Sequence, residues 1–180
     1  MATTWDFVLI SPHFFDIGME CGKRTGVKEG GIKRAGIKKL WSIDDWEWRN
    51  QQELRTFSDI ERRLDEGKII VVNFETDQWK DMGMYIEKEK EYIYSLWINT
   101  EGVPELDSDM INEGNIGYYE KACRILEELI SEYHIEFRVI AIGVECDVQY
   151  HEDIEKMMHD SRGVTMWIFN KNGTIESEMC

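Results

Sequence analysis

The chain reads as an α+β protein: a single mixed, mostly antiparallel sheet of about six strands, two or three helices packed against it, and a C-terminal β-α-β unit. Three observations predict this. Short runs rich in β-branched and aromatic residues recur between polar turns. One long stretch, 116–133, carries apolar residues at helical spacing. Beyond it, 135–169 alternates strand, helix and strand patterns, the order of a right-handed parallel crossover.

The elements follow in order. Thr4–Ile10 (TWDFVLI) is made of β-formers and closes at Ser11-Pro12, so it is the first strand. Between Gly18 and Gly36 six glycines interrupt a basic run, and no period of 3.6 or 2 survives. Residues 18–40 are therefore expected as a glycine-rich basic loop inside one globular domain spanning 1–180. Ser58 with Glu61 forms a capping-box pattern, Ile60 and Leu64 give an apolar stripe, and Gly67 sits at a helix C′ position, which predicts a helix over 51–66. Lys68–Phe74 is an almost continuous apolar run, the mark of a central strand. Met82–Glu87 and Glu91–Ile98 flank the polar tip Lys88-Glu89-Lys90 as a hairpin.

The helix over 116–133 is predicted by Ile116, Tyr119, Ala122, Cys123, Leu126, Leu129, Ile130 and Tyr133 on one face, with Glu120, Lys121, Arg124, Glu127, Glu128 and Glu132 opposite. Ile135–Val144 then reads as a buried strand, His151–Asp160 as a short helix and Val164–Phe169 as the last strand.

Charge narrows the function classes. Gly22–Lys39 holds seven basic residues and one acid, a local charge of +6 that leaves −21 for the remainder of a chain whose net charge is −15. An acidic body repels nucleic acid and anionic membranes and speeds encounter with cationic partners. The basic run contains no aromatic stacking platform, so neither nucleic acid nor membrane is expected as a partner. The longest apolar run falls well short of the ~18 residues of a membrane helix. The N-terminal stretch MATTWDFVLISPHFF has no signal-peptide pattern, and the four cysteines show no metal or disulfide spacing, so the expected compartment is the cytoplasm.

Motifs for chemistry are sparse. Gly18–Thr25 resembles a phosphate loop but has the wrong glycine spacing and Arg24 at the hydroxyl position. Asp107–Gly114 lacks both the ligand and the turn glycine of a calcium loop. No nucleophile elbow occurs, and Cys123 lies on the apolar face of its helix. Glu145, Cys146, Asp147, His151, Glu152 and Asp153 gather after the strand 135–144, which sets up one alternative, a metal-dependent enzyme or small-molecule-binding domain using those acids. No cofactor is expected on the leading reading.

Two features point instead to a protein partner. Glu101 to Glu120 contains six acids and no base, among them Glu101, Glu105, Asp107, Asp109 and Glu113. Trp41, Trp46 and Trp48 fall within eight residues, interleaved with Asp44, Asp45 and Glu47. Tryptophan is favoured at interface hot spots, and carboxylates around it steer a cationic partner. The candidate partner-binding set is Asp44, Asp45, Trp46, Glu47, Trp48, Glu101, Glu105, Asp107, Asp109 and Glu113.

The C-terminal half also resembles bacterial polymorphic-toxin immunity proteins, in LWINTEGVPELD (96–107), YYEKACRILEELISEY (118–133) and FRVIAIGVECD (137–147) leading into HEDIEKMM and VTMWIF. The resemblance implies a small acidic cytoplasmic protein without catalytic activity, which masks a basic cognate toxin by stoichiometric binding. It assigns no individual residue.

Overall fold

A computed structural model of the chain describes residues 4–15, 36–54, 58–75, 82–101, 104–106, 108, 110–121, 123–124, 134–171 and 173–180. Nine strands in that set form one sheet. They are β1 (Thr4–Ser11), β2 (Gly36–Ile43), β3 (Gln52–Glu53), β4 (Ile69–Glu75), β5 (Met82–Lys88), β6 (Tyr92–Asn99), β7 (Val139–Asp147), β8 (Arg162–Lys171) and β9 (Thr174–Met179). Helix α1 (Ser58–Asp65) precedes β4, and helix α2 (Ile154–Asp160) lies between β7 and β8. A 3-10 turn covers Pro104–Leu106, and residues 116–121 and 123–124 are helical.

The strand order is β3-β2-β4-β5-β6-β1-β7-β8-β9. The first strand therefore sits inside the sheet as a seam between a wing built by β2–β6 and one built by β7–β9. Every neighbouring pair is antiparallel.

Alternation of side chains gives the two faces different cores. On one face Trp5 and Leu9 of β1, Ile70, Val72 and Phe74 of β4, Met82, Met84 and Ile86 of β5, and Ile140 and Ile142 of β7 form the main cluster. Ile60 and Leu64 of α1, Leu54, Leu106, Tyr119 and Phe137 close over it. Helix α1 ends at Gly67 (φ 75), where Gly67 N–H donates to Leu64 O and Lys68 N–H to Arg63 O, the paired bonds of a Schellman stop. On the other face Val8, Ile10, Val139, Ala141, Trp167 and Phe169 pack with Met157 of α2, while Ile43, Ile69 and Val71 make a separate small cluster.

Several expectations are corrected. The sheet has nine strands rather than about six, it is antiparallel throughout rather than mixed, and little of the described chain is helical. The C-terminal β-α-β crossover does not exist: β7 and β8 pair antiparallel, Val139 opposite Phe169. The two strands pair right beside their connection: Asp147, the last residue of β7, stands opposite Arg162, the first of β8, so α2 links adjacent strand ends and the chain returns antiparallel.

The helix expected over 51–66 begins only at Ser58, and Gln52–Glu53 is a strand pairing with Trp41 and Ser42. The basic loop expected over 18–40 gives way at Gly36 to β2, and 16–35 lies outside the described residues. For the helix expected over 116–133, residues 122 and 125–133 lie outside them too.

β7 and β8 keep register from Val139 to Ile142 and then break it, Gly143 standing opposite Val164 and Asp147 opposite Arg162. This bulge turns at Glu145 (φ 49) and Gly163 (φ 73). A Cβ added at Gly143 would stand 2.0 Å from the Gly163 carbonyl oxygen.

Candidate partner-binding site

The turn after β2 carries the first half of the predicted set. Asp44 N–H donates to Arg49 O (3.0 Å) and Trp48 N–H to Asp45 O (2.9 Å), closing residues 44–49 into a tight loop. Trp48 (φ 59) and Asn50 (φ 50) both adopt left-handed backbone, so the loop is held by its side chains against local cost. The holding group is Asp45. Its carboxylate accepts the Glu47 N–H at 3.0 Å and the Arg49 N–H at 3.4 Å, and pairs with the Arg49 guanidinium at 2.6 Å.

Asp44 does the same outward from the loop, accepting from Asn50 Nδ2 at 2.6 Å and pairing with Lys68 Nζ at 2.7 Å. The Asn50 amide first, then Lys68, hold its carboxyl below the usual range. Asp44 and Asp45 are therefore struts that position the loop, with cations of this chain already beside them.

The result of that bracing is an aromatic patch. Trp46, 53% exposed, packs edge-on against Tyr85 of β5 with centroids 4.8 Å apart. Trp48, 39% exposed, packs edge-on against Trp41 of β2 at 6.0 Å. Trp41 and Tyr85 flank Val71 in one row across β2, β4 and β5, so both indoles rest on the sheet face that carries the Ile43–Ile69–Val71 cluster. Lys39 Nζ stands 5.0 Å from the Trp41 ring centroid. Glu87 lies beside Trp46 and accepts a hydrogen bond from it; burial pushes its carboxyl up, Glu89 adds to the rise, and the Trp46 bond opposes both. Glu47 is exposed and 3.5 Å from Arg49.

Lys39, Tyr85 and Glu87 were not among the predicted residues. The signal was present in β5, where Tyr85 and Glu87 alternate with the core residues Met84 and Ile86 and so face the other way.

The second half of the predicted set does not join this patch. Glu101 follows the end of β6, Glu105 lies in the 3-10 turn, and Glu113 precedes the helical residues at 116; all three are exposed. Asp107 and Asp109 lie outside the described residues. Register puts the indole loop level with the start of β6 and Glu101 beyond its far end, a separation of about 20 Å along the strands alone.

The alternative site after β7 is also dispersed. Asp147 accepts from Gln149 Nε2 at 2.7 Å, His151 pairs with Asp160 at 3.0 Å, Glu152 pairs with Lys90, and Asp153 caps α2 by accepting the Lys156 N–H. The Cys146 thiol donates to Gly163 O at 3.4 Å, and burial pushes its pKa up, with the nearby Asp6 carboxylate adding to the rise, the opposite of an activated nucleophile. Among the described residues no three His, Cys, Asp or Glu side chains are placed to hold a metal ion.

Asp6, 9% exposed at the centre of the sheet, accepts the Cys146 N–H at 2.7 Å. Burial raises its pKa to about 6, against the pull of that amide and of the Thr4 side chain, and Glu145 adds to the rise.

Among the described residues no helix is long and apolar enough to cross a membrane. Comparison with protein families, with curated proteins and with solved structures finds no match.

Proposed function

We propose that this chain is a stoichiometric binding protein for a basic protein partner, with the Trp46–Trp48 patch as its contact. The mode of action is that of an immunity protein, which neutralises a cognate bacterial toxin in the cytoplasm by covering it. One observation carries the reading: two neighbouring indoles are left half-exposed on a loop that the chain braces with five side chains, Asp44, Asp45, Arg49, Asn50 and Lys68. A rigid aromatic pair loses little conformational entropy on binding and supplies the desolvated centre that hot spots require.

The charge supports the same partner class. A net charge of −15 draws a cationic protein in over a long range, and the acids at 101–113 act through that field rather than through contact at the indoles. Glu47 is the carboxylate at the rim of the patch most available to a lysine or arginine of the partner, its cation Arg49 being already held closer by Asp45.

The test is co-expression with the product of the adjoining reading frame, followed by titration of the two purified proteins. Protection and one-to-one binding are expected for the natural chain. Trp46→Ala with Trp48→Ala should weaken binding about 100-fold, the loss of two hot-spot residues, while circular dichroism stays unchanged. Full protection by that double variant would overturn the assignment of the patch.

A further inference from the structure

The opposite edge of the sheet carries a second, independent surface. Among the described residues β9 pairs with β8 on one side only, and all six of its residues are exposed. Cys180 N–H donates inward to Thr165 O at 3.0 Å. Antiparallel alternation then turns Glu178 and Glu176 inward as well, and leaves Ile175, Ser177 and Met179 presenting N–H and C=O groups outward.

The side chains of this strand divide sharply. Ile175, 50% exposed, and Met179, 68% exposed, lie on one face; Glu176 and Glu178 lie on the other, beside Phe169 and Trp167 of β8. Lys171 pairs with Glu176 at 2.8 Å, while Glu178 has no ion-pair partner among the described residues. A second copy of the chain cannot use this edge well. Outward groups must meet outward groups, which in an antiparallel pair sets Glu176 opposite Glu176 or Glu178 of the second copy, and like charges directly opposed destabilise a pair. The edge is shielded against itself and left open to the opposite charge.

We propose that the outer edge of β9 takes up an extended segment of a basic protein as a further strand. The segment would alternate lysine or arginine, over Glu176 and Glu178, with apolar side chains over Ile175 and Met179. Main-chain bonds supply affinity in such strand addition, and the alternating side chains supply selection. This site lies at the other edge from the indoles and does not depend on them.

A short synthetic peptide alternating valine and lysine is the probe, titrated against the full chain by fluorescence anisotropy. Saturable binding that weakens with salt is expected, with hydrogen-exchange protection appearing at Ile175, Ser177 and Met179. Glu176→Gln with Glu178→Gln should cut the affinity at least tenfold. N-methylation of the peptide amides that face β9 should abolish binding at unchanged peptide charge, whereas Trp46→Ala with Trp48→Ala should leave it within twofold. The proposal is overturned if the peptide does not bind, if the N-methylated peptide binds equally, or if the glutamine variant keeps its affinity.

Discussion

The two edges of this one sheet end its hydrogen-bond ladder in opposite ways. At the β3 edge the ladder shrinks to Gln52 and Glu53, Leu54 turns into the main core, Arg63 of α1 reaches Gln52, and the acids of the preceding turn are matched to Arg49 and Lys68. At the β9 edge the ladder runs a full six residues into solvent. Lys171 is the one cation paired to the strand among the described residues, and Glu178 faces water without one. The difference lies in what a carboxylate is used for. Where cations of the same chain lock an acid into a turn, the acid sets local geometry; on the exposed β9 strand, where one exposed lysine serves two glutamates, carboxylate charge remains available to another molecule.

Gly143→Ala should make the largest break in that comparison. Its Cβ would meet the Gly163 carbonyl, a backbone atom with no side-chain rotation to yield by. Relief requires separating β7 from β8, and among the described residues β9 pairs with β8 alone. A loss of about 3 kcal/mol or more is expected in urea denaturation, at the upper end of overpacking effects. Hydrogen exchange should show it unevenly, with protection falling across β7–β9 and holding in β2 and β4. Uniform loss across both wings would mean that the edges are not separately supported.

Asp6, on the seam between the wings, gives the next largest effect. Its pKa rises from an ordinary 3.8 to about 6, so between those values the folded chain holds a proton that the unfolded chain releases. Stability from this group is therefore complete below about pH 4, falls as pH rises to about 6, and stays reduced above; the penalty is on the order of 3 kcal/mol. Asp6→Asn retains an acceptor for the Cys146 N–H and removes the buried charge. It should match the natural chain near pH 4 and exceed its stability at pH 7.5. Parallel stability curves for the two proteins across pH 4–8 would refute the assignment.

Legibility in the sequence followed the same division between inside and outside. β1, β4 and the β5–β6 hairpin were readable because apolar runs and alternation are written into TWDFVLI, KIIVVNF and YIYSLWI. The end of α1 was readable from Gly67. β2 was hidden because Lys38 and Lys39 continue a glycine-rich basic run, and only pairing with β4 makes that segment a strand. β9 was hidden because TIESEM buries nothing, although the Asn172-Gly173 pair before it is a hairpin signal.

In the candidate site, Trp46 and Trp48 stood out by their spacing among acids, but Trp41 shares that run and is half-buried, so spacing alone did not separate the exposed rings from the packed one. The role of Asp44 was not legible, since Lys68 comes beside it only when β2 and β4 pair. Arg49, four residues after Asp45, was the visible clue that this second acid is a strut.

The smallest effects sharpen that last distinction, by comparing one acid from each edge. Asp45→Ala removes the acceptor for two backbone N–H groups and the partner of Arg49, in a loop whose Trp48 and Asn50 are already held in left-handed backbone. A loss of ~1–2 kcal/mol is expected, of the size found when a capping carboxylate is deleted. Trp46 and Trp48 should become more mobile together, read as a fall in tryptophan fluorescence anisotropy. Glu178→Ala removes an equal charge from an exposed strand, yet no hydrogen bond or ion pair is lost with it among the described residues. Its effect on stability should stay within about 0.5 kcal/mol. Equal losses for the two variants would show that both acids are structural, and the β9 edge would then have no free charge to offer.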